Sequence, residues 1–338
     1  MRPSTAVLAQ TKIRLAELNF PRTHVHVERT RLAFIHLDNL LHFAKVDRDG
    51  KVDAFVVAYL PTELVVLLLR AGELTNAVRL RESGRSVLST VEALDAIRAE
   101  RERGELLFCN APAQQLAWMY QSCAAPAQAR MVDMAHPDAL FPALAHEGFS
   151  GVLELIGDGR LSYLQFEGGE YRGGVFSAKP AAMSAAEYVG YLCRPGPTGK
   201  APHFAAAVFP HIAAVPEQAS PQMLESYREV FWAVAAAGDA EVAGEGTKLA
   251  VKYRELLHQV HPSIRAIGLP RDRAFKGIVA TPTEVTAALA EWTMQVLEQL
   301  EILSPGAAPD VLRSATRAHR FLLQRSGFYD GLPWAVRW

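Results

Sequence analysis

The chain has 338 residues, 50% of them hydrophobic and 21% charged, with 35 Lys plus Arg against 36 Asp plus Glu and a formal net charge of −1. That length exceeds one typical domain, and the charge balance excludes a protein whose main task is coating nucleic acid or an anionic membrane. Cys109, Cys123 and Cys193 are far apart and form no C-x-x-C pair, which suits a reducing compartment and buried, unreactive thiols.

The first fifteen residues hold one early Arg and a four-residue apolar stretch, which is no signal peptide. The apolar run Leu64 to Leu69 is far below the ~18–20 residues a membrane helix needs. A soluble, cytoplasmic protein without a membrane span is therefore expected. His24 and His26 fall on one face of an expected edge strand, a spacing a metal could use, but no third ligand can be assigned, His36 being distant. Surface histidines are the expected reading there.

Next, Leu37, Leu40, Leu41 and Ala44 lie at i, i+3, i+4 and i+7, one face of an amphipathic helix, with Asp38 near its positive end. A strand follows, with Val52, Ala54, Val56 and Ala58 on one face. Leu64 to Leu69 is apolar on both faces, as a central covered strand should be. Beyond a Gly72-Glu73 turn comes another strand, then a helical stretch from Ser86 to Gly104 and a strand from Glu105 to Asn110.

The same order then returns. Leu64–Leu80 and Leu161–Ser177 align without a gap, with Leu69 on Phe166, Gly72-Glu73 on Gly169-Glu170 and Val78 on Val175. Upstream, Asp49–Val57 matches Phe149–Ile156 with Gly50 against Gly151, and the helix from His36 matches that from His136. Three matched blocks in one order indicate a duplication. The second copy closes with a helix, Ser184 to Cys193, and a strand, His203 to Pro210. Each unit is expected to be a small sheet with helices on one face.

After the three prolines of Pro210–Pro221 the period becomes helical. Four helices are expected: one opened by Ser220 and Pro221, one stopped by Pro262, one with a Thr281/Glu284 capping box, and a last one capped by Asp310 and ended by Gly327. The fold class is thus α+β: two tandem sheet-plus-helix units over residues 1–125 and 126–216, then an all-α helical bundle over 217–338.

The repeated pattern resembles the PATAN family, named for the PatA N-terminal region of bacterial regulators. An amphipathic L-x-x-L-L helix precedes a G-x-L/V strand, and a later strand ends in an apolar-x-x-G-E turn followed by a small residue. The matching positions are Leu37, Leu40, Leu41, Gly50, Val52, Leu69, Gly72, Glu73 and Ala77 in the first copy. In the second they are Leu140, Leu144, Gly151, Val152, Phe166, Gly169, Glu170 and Gly174. The resemblance covers about residues 30–210; the first copy departs from it by about four extra residues, Pro61 among them, between its first two strands. It implies a non-enzymatic scaffold or adaptor of bacterial signalling, in a motility, small-GTPase or type IV pilus system. Its partners would be a response regulator, a small GTPase or a pilus motor component, or a second copy in a homodimer. Nucleic acid is not an expected partner, and no cofactor is expected.

Other site motifs fail on spacing. Arg194–Pro202 lacks two elements of a Walker A loop, His258 and His261 suit a helix C-terminus, and the sequence around Ser150 is not G-x-S-x-G. The interaction residues expected from sequence are Glu73 and Glu170 beside the turns, the stripe Arg313, Arg317 and Arg320, and Trp334 and Trp338 in the aromatic tail. The turn glycines are Gly72, Gly169, Gly173 and Gly174. Gly72 and Gly169 are read as hairpin positions needing positive φ, and Gly173-Gly174 as unexplained by the repeat. The rival reading is a small-ligand sensor that binds a nucleotide or other anion at the glycine-rich turn or in a cleft between the repeated units.

Overall fold

A computed structural model describes residues 14–46, 52–125, 127–195, 202–210, 215–270, 273, 275 and 277–336. The chain forms two compact units, one of Met1–Leu88 and Ala93–Val215, the other of Ser89–Glu92 and Pro216–Trp338. It is α+β, with both copies of the repeat, apart from Ser89–Glu92, inside the first unit.

The first copy runs β1 (His24–Arg31), α1 (Leu37–Val46), β2 (Ala54–Tyr59), β3 (Leu64–Arg70), β4 (Glu73–Arg81), β5 (Gly84–Leu88), α2 (Thr90–Ala99), β6 (Glu105–Asn110) and α3 (Ala113–Ala124). The second runs β7 (Gln128–Arg130), α4 (Leu140–His146), β8 (Gly151–Gly157), β9 (Arg160–Glu167), β10 (Glu170–Phe176), α5 (Ala185–Leu192) and β11 (Phe204–Phe209). The two sheets are ordered β1-β6-β2-β3-β4-β5 and β10-β9-β8-β11-β7, with every neighbouring pair antiparallel. Apart from β5 they have one topology, so the duplication extends to the flanking strands β1 and β7.

Pairing fixes the register between copies, and it differs from the sequence match. Ala54 faces Leu69 as Gly151 faces Phe166, so Ala54, not Gly50, corresponds to Gly151. The Gly72 N–H donates to Val52 O and the Gly169 N–H to Phe149 O, both at 2.8 Å; in turn Val52 N–H donates to Ala44 O and Phe149 N–H to Leu144 O. Eight residues separate Ala44 from Val52 and five separate Leu144 from Phe149. The first copy's surplus is therefore three residues between helix and strand, not four around Pro61. Gly50 itself lies outside the described residues.

β3 is buried on both faces as expected: Val65, Leu67 and Leu69 join α1 and α2 in one core, while Leu64, Val66 and Leu68 face another. That second core holds Val152, Ile156, Leu161 and Tyr163 of the other sheet, with α3 between the two through Leu116, Trp118, Met119 and Tyr120. Helices thus cover both faces of the first sheet, rather than one. Residues ahead of β1 enter the same core. Leu18 and Phe20 are buried there, Asn19 N–H donates to Gly159 O (2.7 Å), Leu161 N–H donates to Asn19 O (3.0 Å), and the Tyr59 hydroxyl donates to Leu18 O (3.1 Å).

The stretch from Ser86 is not helical at its start. Gly84–Leu88 pairs with β4, and the helix begins only at Thr90, where Ser89 Oγ accepts the Glu92 N–H (3.0 Å). β5 also supplies Arg85, whose guanidinium makes two 2.7 Å hydrogen bonds to the two oxygens of Glu154 on β8. Side-chain exposure is 8% for Arg85 and 0% for Glu154. Burial opposes the arginine's charge, but Glu154's charge and hydrogen bonds outweigh it and hold Arg85 protonated above its ordinary range.

The second unit is helical: α6 (Pro221–Glu241), α7 (Glu245–Leu257), α8 (Pro262–Ile267), α9 (Pro282–Leu303), α10 (Ala307–Thr316) and α11 (Arg320–Arg325). Ser220 caps α6 and the Thr281/Glu284 box caps α9, as their sequences indicate. Pro262 opens the short α8 instead of merely ending α7. Asp310 does not cap α10, the helix it was expected to open. Its N-cap is Gly306 at φ +90°, and Glu301 accepts the N–H groups of Gly306 (2.6 Å) and Ala308 (2.9 Å). Those hydrogen bonds to the charged carboxylate hold Glu301 below its ordinary pKa. Among the described residues no helix is long and apolar enough to cross a membrane.

Candidate interaction surface

Both Gly-Glu turns are two-residue hairpin loops with positive φ at each position, Ala71-Gly72 at +48° and +79° and Gly168-Gly169 at +57° and +85°. A Cβ on Gly72 would stand 2.4 Å from Ala44 O, and one on Gly169 would stand 2.6 Å from the Ala145 Cα. Each glycine therefore lets the hairpin touch the backbone of the preceding helix. The first N–H of each turn also has an internal acceptor: Ala71 donates to Asp53 Oδ1 (2.6 Å) and Gly168 to Ser150 Oγ (2.8 Å). With the Gly169 N–H bonded to Phe149 O, neither turn amide of the second copy is left to cradle an anion.

Glu73 and Glu170 form local ion pairs, Glu73 with Lys45 at 2.6 Å and Glu170 with Arg172 at 2.9 Å. Both carboxylates are exposed, so these pairs add little stability.

Beyond each turn the strand bulges at matching places. Register slips between Leu68 and Leu69 opposite β4, and between Tyr171 and Gly173 in β10, leaving Thr75 and Arg172 as the extra residues. Gly173 and Gly174 then stand where β4 has Asn76 and Ala77. A Cβ on Gly174 would meet Tyr163 O at 2.7 Å and the Phe176 ring at 3.1 Å; one on Gly173 would meet nothing within 4 Å. Close packing accounts for Gly174, and nothing in the structure accounts for Gly173.

The two strands differ in what lies outside them. β4 is covered by β5, which pairs Ala77–Arg81 with Leu88–Gly84. β10 ends its sheet, with no strand on its outer side among the described residues. Ser177 N–H donates to Leu161 O, and antiparallel alternation then turns the N–H and C=O of Phe176 and Gly174 away from β9. Glu170, Tyr171 and Arg172 are exposed along the start of this edge, and Tyr171 packs its ring 5.9 Å from Phe166.

The remaining expected residues belong to the second unit. The helix meant to carry Arg313, Arg317 and Arg320 is broken by a 3-10 turn at Arg317–His319, so the i, i+4, i+7 stripe is not one regular helical face. Arg313 pairs with Asp310 (3.0 Å), and Arg320 lies over the Phe321 ring (4.5 Å). Trp334 is half-buried against its own bundle core; Trp338 lies outside the described residues.

His24 and His26 adjoin on β1, with His26 Nε2 2.5 Å from Asn110 Oδ1, and no group of three metal-ligating side chains occurs among the described residues. His258 Nδ1 meets Glu255 O at 2.6 Å near the end of α7, as its spacing implies. Burial pushes the Cys109, Cys123 and Cys193 thiols up to about 11, so all three are protonated at neutral pH. Sequence reasoning did not find the strand edge, because the signal was the missing counterpart of β5, itself misread as helix. Compared with known proteins, the chain matches no family model, no curated protein and no solved structure.

Proposed function

We propose that this protein is a non-enzymatic scaffold or adaptor that works through protein–protein contacts, with the open edge of β10 as one contact surface. The supporting observation is the contrast between copies: one repeat unit covers this edge with a strand of its own, and among the described residues the other leaves it unpaired. An exposed edge is a ready template for a strand from another chain. The PATAN-like motifs support a role in bacterial signalling, in the cytoplasm, serving a motility, small-GTPase or type IV pilus system. A response regulator, a small GTPase or a pilus motor component is the partner class.

The test is crosslinked affinity capture from the cells that make the protein, comparing wild type with Gly173→Lys. Lysine on an edge strand discourages pairing, and a Cβ at Gly173 meets open space, so the fold should be kept. One reproducible partner that wild type captures and Gly173→Lys loses, at unchanged thermal stability, is the expected result. Recovery of the protein alone, or equal capture by both forms, would sink the reading.

A further inference from the structure

The opposite edge of the same sheet carries a groove of about 470 Å³ between β7 and α4, within the range of ligand-holding pockets. Leu140 and Ala143 of α4 form one wall and Arg130, Met131 and Val132 the other, with Asp133 at the end. Met131 is 93% exposed, and Met134 beside the groove is 38% exposed. Thioether side chains adapt readily to an incoming apolar group.

The first copy carries an aromatic ring, 43% exposed, at the equivalent helix position. Ala44 and Leu144 occupy equivalent positions, since each carbonyl accepts the N–H that leads into the following strand. Phe43 therefore corresponds to Ala143. By strand pairing, Phe108 (opposite Val56) corresponds to Val208 (opposite Leu153). In the first copy the Phe43 ring lies over this edge of the sheet, 5.6 Å from His26 and 6.4 Å from Phe108. The second copy has Ala143 and Val208 instead, and there the groove is open.

Charge narrows the occupant further. Arg130 is ion-paired with Glu147. Among the described residues the Asp133 carboxylate accepts one hydrogen bond, from Ala135 N–H (2.9 Å), and has no ion pair. With the His136 imidazole that also lines the groove counted as neutral, the uncompensated charge there is negative.

We propose that the β7/α4 groove receives an aromatic side chain from a partner protein, on a segment that carries a basic residue next to the aromatic one. The bound ring rests on the sheet edge as Phe43 does in the first copy, and the basic neighbour meets Asp133. Buried aromatic anchors in such pockets typically dominate binding energy. The inference rests on the reading of the protein as an interaction module but uses a different edge, so capture lost through Gly173→Lys and binding in this groove can fail separately.

The experiment titrates N-acetyl-Lys-Trp-Lys-amide into the full chain labelled with methyl-13C methionine. Saturable ring-current shifts at the Met131 and Met134 methyls are expected. They should vanish in Ala143→Phe, which fills the groove from within, while the thermal midpoint holds. Replacing both peptide lysines by glutamate should weaken binding about two- to fivefold, the scale of an exposed charge pair. Should Ala143→Phe fail to fold, Ala143→Leu carries the same comparison. The proposal is overturned by unshifted methyls at the highest peptide concentration, by shifts that persist when the groove is filled, or by N-acetyl-tryptophan amide binding as well as the peptide. That last result would make the groove a small-molecule site.

Discussion

In the first copy the chain leaves β4 through a short turn and comes straight back as β5, so β4 is paired on both sides and β5 becomes the end strand. In the second it leaves β10 at Phe176, passes Ala178 at positive φ, and goes on to α5, so among the described residues β10 itself is the end strand. The same asymmetry recurs at the other edge, where Phe43 lies over the first sheet and Ala143 leaves a groove beside the second. What both copies keep is the joint between hairpin and helix: two positive-φ turn residues, an internal acceptor for each turn amide, and a glycine against helix backbone. The joint sets how helix and sheet pack and tolerates little change. The edges are free of that constraint, and there the two copies have diverged.

The largest expected effect tests how firmly β5 is held against the second sheet. Arg85→Ala leaves Glu154 charged and buried between the sheets, at a cost of about 3–5 kcal/mol in denaturant-monitored unfolding. The pair Arg85→Met with Glu154→Leu should recover most of that loss. A single-variant loss below 1 kcal/mol would mean that β5 is not held by this pair. Next come the joints. Gly72→Val and Gly169→Val should each destabilise by about 2–3 kcal/mol, through strained backbone and contact with the helix. Similar values support the equivalence of the copies, and a tolerated substitution at either site breaks it. The smallest effect belongs to Gly168→Ala. Its sister position is already Ala71 at φ +48°, and an added Cβ meets nothing within 4 Å, so about 1 kcal/mol or less is expected from thermal unfolding.

Much of this was legible from residue patterns. The period-2 and all-apolar runs located β2 and β3, and the matched Gly-Glu turns revealed the duplication. Ser220 and the Thr281/Glu284 box marked two helix starts. What escaped had weak local signals. α3 is buried between two sheets, with Gln115, Gln121 and Ser122 buried beside its aromatics, so it shows no clear apolar stripe. β7 has three residues, and β5 is joined so closely to a good helix that Ser86–Leu88 reads as its first turn. Register was misjudged because Gly50 and Gly151 look alike, whereas hydrogen bonding matches Gly151 with Ala54. The candidate surface was the least legible feature, since an open edge is defined by what does not pair with it. Glu73 and Glu170 marked the right hairpins, and their charges are spent on neighbours.

Asn19 has a consequence for how this protein can be made and inherited. It precedes the first copy in sequence yet is bonded to Gly159 and Leu161 in the second, while its neighbour Leu18 receives the Tyr59 hydroxyl from the first. During synthesis this segment emerges ahead of both repeats, and Asn19 finds its partners only after the second has appeared, a long-range closure that belongs to the slow part of folding. A gene fragment encoding residues 126–216 alone would lack the segment that lies against its own β9. The duplication has thus been knitted into a single heritable piece, and recombination that separates the halves would leave each sheet without its share of the common core.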